Sequence, residues 1–499
     1  MIQGTASSVG KSLIAAALCR IFRDEGFSVA PFKSQNMALN SCVTADGGEI
    51  GRAQALQAEA ARIEPTVEMN PILLKPEPAM HSQVVVLGKP VGSMHWTAYC
   101  VMMPSLRETI RTCLEKLRAR HDLIVIEGAG SPAEINLRRS DIVNMHVAKA
   151  ADAPVILVGD IDKGGVFAQL VGTMELLARD ERDRVAGFMI NKFRGEAAPL
   201  KGGLDFISDR FGIPVLGVVP WISRLRIADE DSVALQSRAP RLPSASELYL
   251  AVVKLPCISN YDDVLTLEYE PGVNLRFIDE AGELEGADLV ILPGTKSTVS
   301  DLEWLRREGF ASEIISRAAR GAMVLGICGG CQMLGEIIED PYAIESSAPL
   351  AEGLGLLPLR TRFEKEKTTA HVVARPSAGW LAPDGIAPEI TGYEIHMGAV
   401  TREDSARPAF TILSRNGARM LHSDGAVSNE GNVVGTMLHG IFENESVRRA
   451  MLGVLRRRRN LPAPIGGEAV AGRNAEYDRL AAAVRATIDI GALRQIIGI

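Results

Sequence analysis

The stretch Met323-Val324-Leu325-Gly326-Ile327-Cys328-Gly329-Gly330-Cys331-Gln332-Met333-Leu334-Gly335 decides how the chain is read. An apolar run ends at a thiol, two glycines follow, and a helix-forming pattern begins. This is the layout of a nucleophile elbow, in which a strand stops, the backbone turns sharply and the side chain at the turn projects from the sheet. Glycine beside the turn leaves room for a strained backbone and an approaching substrate. A following helix turns its N-terminus toward the thiol, which favours thiolate and offers N–H groups to an oxyanion. A buried strand–turn–helix in which Cys328 only packs has the same local pattern, because free cysteine is commonly buried.

Working outward, the chain of 499 residues is too long for one ordinary core, so two or three domains are expected. With 46% hydrophobic residues, 47 glycines and only 5% aromatics, the composition suits an α/β protein with tight strand-to-helix loops. A formal net charge of −7 gives no general support for a nucleic-acid partner. Seven cysteines without regular spacing argue against a disulfide framework and for a reducing compartment. No apolar run reaches membrane-spanning length, and a motif begins within four residues of the N-terminus. The expectation is a soluble, cytoplasmic protein without a membrane or nucleic-acid partner. No motif bears on its oligomeric state.

That first motif is Gly4-Thr5-Ala6-Ser7-Ser8-Val9-Gly10-Lys11-Ser12, between a short strand and a helix carrying Leu13, Ile14, Ala17, Leu18 and Ile21. A phosphate loop needs consecutive N–H groups around an anion, a lysine for the β/γ oxygens and a hydroxyl for Mg²⁺. Gly10, Lys11 and Ser12 supply these, although five residues rather than four separate Gly4 from Gly10. A loop opening on Gly-Thr resembles that of dethiobiotin synthetase and its relatives.

Further along, Lys33 is a candidate phosphate or carboxylate contact and Asp46 a candidate Mg²⁺ ligand. Leu123 to Ile126 reads as a buried parallel strand ending in Glu127, where nucleotide metal ligands sit in this topology. Ser12, Asp46 and Glu127 would then form one Mg²⁺ set. Strands at Val155–Val158 and Val185–Ile190 lead to Asp160 and Asp162, which can touch substrate or cap a helix, and to Asn191, which can bond a nucleotide base. A strand ending at Pro220 closes the first α/β region.

The pattern then lapses into charge, serine and proline (Ala239-Pro240-Arg241-Leu242-Pro243-Ser244), a linker signature. A second alternation follows, with strands at Leu250–Leu255 and Ala287–Leu292 before the elbow strand. Gly294 and Gly329 are the candidate oxyanion donors. His396 and His439 each follow an apolar stretch, and His439 is the expected general base for Cys328. The expected divisions are 1–228 for a nucleotide-dependent domain, 229–247 for the linker, 248–447 for the thiol domain and 448–499 for a helical extension. Arg456-Arg457-Arg458-Arg459 in that extension reads as a solvated helix end.

The strings GTASSVGKS, FKSQNMALNS, DGGEIGRAQALQAEAARIEP, NPILLKP, EGAGSPAEINL, GDIDKGGVFAQLVGT, INKFRG, LPGTKST, GICGGCQMLG, GYEIHMG and TMLHGIFEN, in this order over nearly the whole chain, resemble those of the cobyric acid synthases. That family amidates the b, d, e and g carboxylates of adenosylcobyrinic acid a,c-diamide, using ATP and L-glutamine. The resemblance implies an N-terminal dethiobiotin-synthetase-like parallel sheet and a C-terminal class I glutamine amidotransferase domain with a flavodoxin-like sheet. It implies Cys328 as nucleophile and His439 as base, and an ATP site drawn from Gly4, Thr5, Gly10, Lys11, Ser12, Lys33 and Asn191. ATP with Mg²⁺ is expected, without a tightly bound cofactor.

One position departs from the wider amidotransferase class, whose His-Pro-Glu places a carboxylate two residues after the histidine. Here that position is Ile441, and Glu443 is four residues on. The reading is therefore a Cys–His dyad with no assigned orienting group. Cys331 stands where the family more often has an aromatic residue and is expected to face the core. Two alternatives stay open at this stage: the sister amidase acting on the a and c carboxylates, and a non-catalytic nucleotide switch fused to an amidotransferase-like module.

Overall fold

The structure, a computed structural model, describes residues 1–77, 80–196, 198–223, 225–227, 244–377, 379–382, 387–462 and 473–499. The chain forms two compact α/β units. The first comprises Met1–Ala38, Glu49–Glu230 and Ala471–Ile499; the second comprises Leu39–Gly48 and Asp231–Val470. Chain order alone would place Leu39–Gly48 in the first unit and the last helices in a separate extension. Most of the expected linker, including Ala239 to Pro243, lies outside the described residues.

In the first unit the apolar runs become parallel strands. Ile2–Gly4, Val155–Asp160, Val185–Phe193 and Val215–Pro220 pair in that order. Val29–Phe32 pairs with Leu123–Ile126, and a bridge between Ile2 and Glu127 connects the two sets. Covered on both faces, the central strands read as unbroken hydrophobic runs rather than alternating ones. The helix Lys11–Asp24 buries Ile14, Ala17, Leu18 and Ile21 on this core. Tyr477, Leu480, Val484 and Leu493, from the helices Arg473–Arg485 and Ile490–Ile497, pack in the same cluster. The tail thus completes the first unit: Tyr477 donates to Glu59 at 3.1 Å, and Asp489 N–H to Leu216 O at 2.7 Å.

The second unit's main sheet runs Val273–Ile278, Leu248–Val253, Leu289–Leu292, Met323–Ile327, Val433–Thr436 and Ala426–Val427, parallel except for the last strand. A largely antiparallel sheet is inserted between the elbow strand and Val433–Thr436, built around the long strands Leu359–Pro376 and Ile390–Arg402. The sequence reading did not anticipate it. The arginine run ends the helix Glu445–Arg458 and is solvated as expected, with Arg457, Arg458 and Arg459 exposed. Arg456 and Arg458 donate to the carbonyls of Pro271 and Gly321, and Arg459 pairs with Asp288 at 2.9 Å. No described helix is long and apolar enough to cross a membrane.

Candidate functional site

In the second unit, Cys328 follows the strand Met323–Ile327 with φ 52° and ψ −111°, a conformation that L-residues hold only where the surroundings enforce it. The enforcement comes from close packing. Cys328 N–H donates to Thr436 O at 2.8 Å, and Gly330 N–H donates to Pro293 O at 3.1 Å. A Cβ on Gly330 would lie 2.0 Å from Leu292 O, so glycine alone lets the short helix Gly329–Leu334 approach the neighbouring strand this closely. Those two N–H groups are spent on the fold, and the candidate oxyanion donors from sequence are Gly329 and Gly294. Both lie at the site: a Cβ on Gly329 would sit 3.2 Å from Thr295 N, and one on Gly294 would sit 3.2 Å from His439 Cε1. Cys331 is fully buried, and burial pushes its thiol well up, as a core position requires.

The strand Ile390–Arg402 lies along this centre. Tyr393 and His439 exchange backbone hydrogen bonds, Tyr393 N–H to His439 O at 3.2 Å and His439 N–H to Tyr393 O at 2.8 Å. Their rings stack at 5.1 Å and 14°. Two residues on, Ile395 O is 3.9 Å from Cys328 Sγ, and Met397 O accepts from Gln332 at 3.2 Å. His396 is turned to its own strand, with Nδ1 3.0 Å from Gly398 O and Nε2 3.7 Å from Glu394.

His439 Nδ1 is 2.6 Å from Asp263 Oδ2, and Asp263 Oδ1 accepts from Gly440 N–H at 2.8 Å. Neither side chain is more than 4% exposed. Burial pushes the imidazolium down, but Asp263 and Cys328 together push it up further, to about 10. The carboxylate at His439 Nδ1 is thus Asp263, while Ile441 is buried core and Glu443 is not the group on Nδ1. Asp263 was missed because it lies 176 residues before His439 and belongs to no recognised spacing.

Within the first unit, Gly10 caps the helix Lys11–Asp24 at φ 97°, closing the loop that begins at Gly4. Ser12 Oγ donates to Glu127 Oε1 at 2.8 Å, and Lys33 Nζ lies 3.0 Å from the same oxygen. Gln57 donates to Glu127 Oε2 at 2.5 Å. Lys11 Nζ is held by Ala6 O and Gly130 O, each at 3.0 Å. Ser12 and Glu127 are thus brought together as expected of a hydroxyl and a strand-end carboxylate. Asp46 falls in the second unit, where its carboxylate accepts from Thr44 Oγ1 in a tight turn closed by Thr44 N–H to Gly48 O.

Asn191 reaches the loop but donates to Val9 O at 2.8 Å, and Thr5 Oγ1 donates to Gln169 at 3.1 Å, so both brace the loop. Asp160 accepts from Asp162 N–H and pairs with Lys192 at 3.0 Å; Asp162 pairs with Arg194 at 2.7 Å. Neither caps the next helix, whose cap is Gly165. Among the described residues no three His, Cys, Asp or Glu side chains are grouped to hold a metal. One hydroxyl and one carboxylate beside a phosphate loop nevertheless suit Mg²⁺, which takes most of its oxygens from phosphates and water.

Residues 1–234 match the CobQ/CobB/MinD/ParA nucleotide binding domain, and residues 249–447 match the CobB/CobQ-like glutamine amidotransferase domain. A cobyric acid synthase of Sorangium cellulosum is 60% identical, over 100% of this chain and 98% of that relative. The chain belongs to the cobyric acid synthase family. A second member, from Dehalococcoides mccartyi, is 50% identical over 100% of this chain and 97% of its own length. Membership makes the chain an enzyme, a ligase with glutamine as amide donor. Among solved structures, PurLQS of Thermotoga maritima is 22% identical, covers 42% of this chain and 99% of its own, with a TM-score of 0.32.

Proposed function

We propose that this enzyme converts adenosylcobyrinic acid a,c-diamide to adenosylcobyric acid, amidating the b, d, e and g carboxylates with ammonia released from L-glutamine. The carrying observation is the strained thiol turn beside buried His439, in the same chain as a phosphate loop whose Ser12 bonds a strand-end carboxylate. Cys328 thiolate attacks the glutamine side-chain carbonyl, and N–H groups at Gly329 and Gly294 hold the oxyanion. His439 gives its proton to the departing ammonia, leaving a thioester. It then takes a proton from water, whose attack releases glutamate and restores the thiol.

In the other unit, Lys11 and the Gly10 turn hold the phosphates of ATP, with Ser12 and Glu127 as the ligands for Mg²⁺, which would offset phosphate charge. A substrate carboxylate attacks the γ-phosphorus, ADP leaves, and an acyl phosphate forms. Ammonia displaces the phosphate to give the amide. Lys33 is offered as a further phosphate or carboxylate contact, and Asp160 and Asp162 as a polar rim for substrate.

Cys328→Ala tests the division of labour. It should abolish glutamine-dependent amidation while leaving amidation driven by ammonium chloride within about twofold of the parent. Glutamine use by that variant would remove Cys328 from its role.

A further inference from the structure

We infer that Asp263 is the positioning residue for His439, supplying from the far end of the domain sequence the carboxylate that the His439-Gly440-Ile441 segment lacks. The inference rests on His439 acting as the base in the glutaminase reaction proposed above. Asp263 stands in the first turn of the helix Asp262–Glu268, and both its oxygens are committed to the His439 turn. Oδ2 meets the ring at Nδ1 and Oδ1 takes Gly440 N–H, so the carboxylate is fixed against two consecutive residues. Gly440 has φ 73°, the left-handed turn in which its N–H joins the histidine ring on one carboxylate.

Three further contacts restrict the imidazole. Tyr393 covers one ring face at 14°, Gly294 packs against Cε1, and the backbone of Tyr393 holds His439 N–H and O. A carboxylate accepting from Nδ1–H leaves the lone pair on Nε2, the tautomer that can take a proton and later return it. His439 Nε2 is buried and makes no hydrogen bond among the described residues, as suits a nitrogen whose partner is the reacting thiol or ammonia. A carboxylate this buried is tolerated only with a cation or donors facing it, and the His439 imidazolium is that cation. The charged and titratable groups against the ring are Asp263 at Nδ1, the phenol of Tyr393 stacked on one face, and Cys328.

Asp263→Asn separates positioning from a merely structural role. The amide oxygen can still accept Gly440 N–H, but its NH₂ then faces Nδ1 and forces the proton onto Nε2. Glutaminase kcat should fall at least ~10²-fold while KM for glutamine stays within about threefold. The alkaline limb of the kcat profile, which reports loss of the imidazolium proton, should move to lower pH once the neighbouring negative charge is gone. Ammonium-driven amidation should persist, because it bypasses the glutaminase. A kcat within about threefold of the parent with an unmoved alkaline limb would overturn the inference. His439→Asn, measured alongside, distinguishes the failures: if it stays active the base assignment itself falls, and if only it is inactive then Asp263 alone is wrong. Should Asp263→Asn not fold, histidine-labelled parent protein decides by NMR. A His439 ring that stays protonated well above the free value of about 6.5 supports the carboxylate partner, and one that titrates near that value excludes it.

Discussion

Gly330→Ala should disable glutamine hydrolysis without touching any reacting group. The added Cβ would lie 2.0 Å from Leu292 O and 2.6 Å from Leu292 C, both backbone atoms of a buried central strand. Restoring an ordinary contact of about 3.4 Å requires a movement of about 1.4 Å between the Gly329–Leu334 helix and that strand. Neither neighbour can rotate away, so the movement falls on the turn that holds Cys328 at φ 52°. Overpacking of this kind costs about 1–3 kcal/mol. A displacement near 1 Å at a reacting atom costs roughly 10²-fold in rate. Glutaminase kcat should therefore drop by about two orders of magnitude, with a lower denaturation midpoint and ammonium-driven amidation retained. The assay is glutamate release against amide formation from ammonium chloride in the same preparation. A variant with glutaminase kcat within about threefold of the parent would refute the claim that backbone packing sets the elbow.

Other perturbations probe separate parts of the chain. Lys11→Ala should abolish amidation with either nitrogen source, read by product mass, while glutamine hydrolysis remains measurable. Leu480→Ala removes a side chain buried against the Lys11–Asp24 helix and should cost about 2–5 kcal/mol, read as a lower urea midpoint for ammonium-driven activity. Burial raises Asp301 and Asp424 to about 6 and Glu345 to about 7. The folded state then holds protons that the unfolded chain releases from about pH 4 upward. These groups stabilise most below that value and lose their contribution as pH rises toward 6–7. Asp424→Asn should flatten that slope in urea denaturation followed by glutaminase activity; an unchanged slope would show that Asp424 ionises normally.

The parts legible from sequence are those whose chemistry is local. Cys328 with its glycines, and Gly10-Lys11-Ser12 before an apolar helix, each need only one strand, one turn and one helix. Parallel strands such as Val155–Asp160 are legible because burial on both faces leaves an unbroken apolar run, here Val155 to Val158, before the polar strand end. What escaped depends on the fold bringing distant residues together. Asp263 meets His439 across 176 residues, and neither has a flanking pattern that names the other. Asp46 falls in the second unit although the sequence around it continues the first, because charge and order do not tell which unit a loop joins. The tail's apolar positions promised a helix, but which core they complete follows from Tyr477 and Leu480 packing on the phosphate-loop helix.

The central claim is that nitrogen freed at Cys328 becomes the amide nitrogen made by the ATP-dependent unit. Supplying amide-¹⁵N glutamine with ATP and the a,c-diamide, without added ammonium salt, tests it by mass spectrometry of the corrinoid product. The account predicts ¹⁵N in each newly formed amide, with one ADP released per amide. Glutamate formation at the normal rate with no label in the product would contradict it.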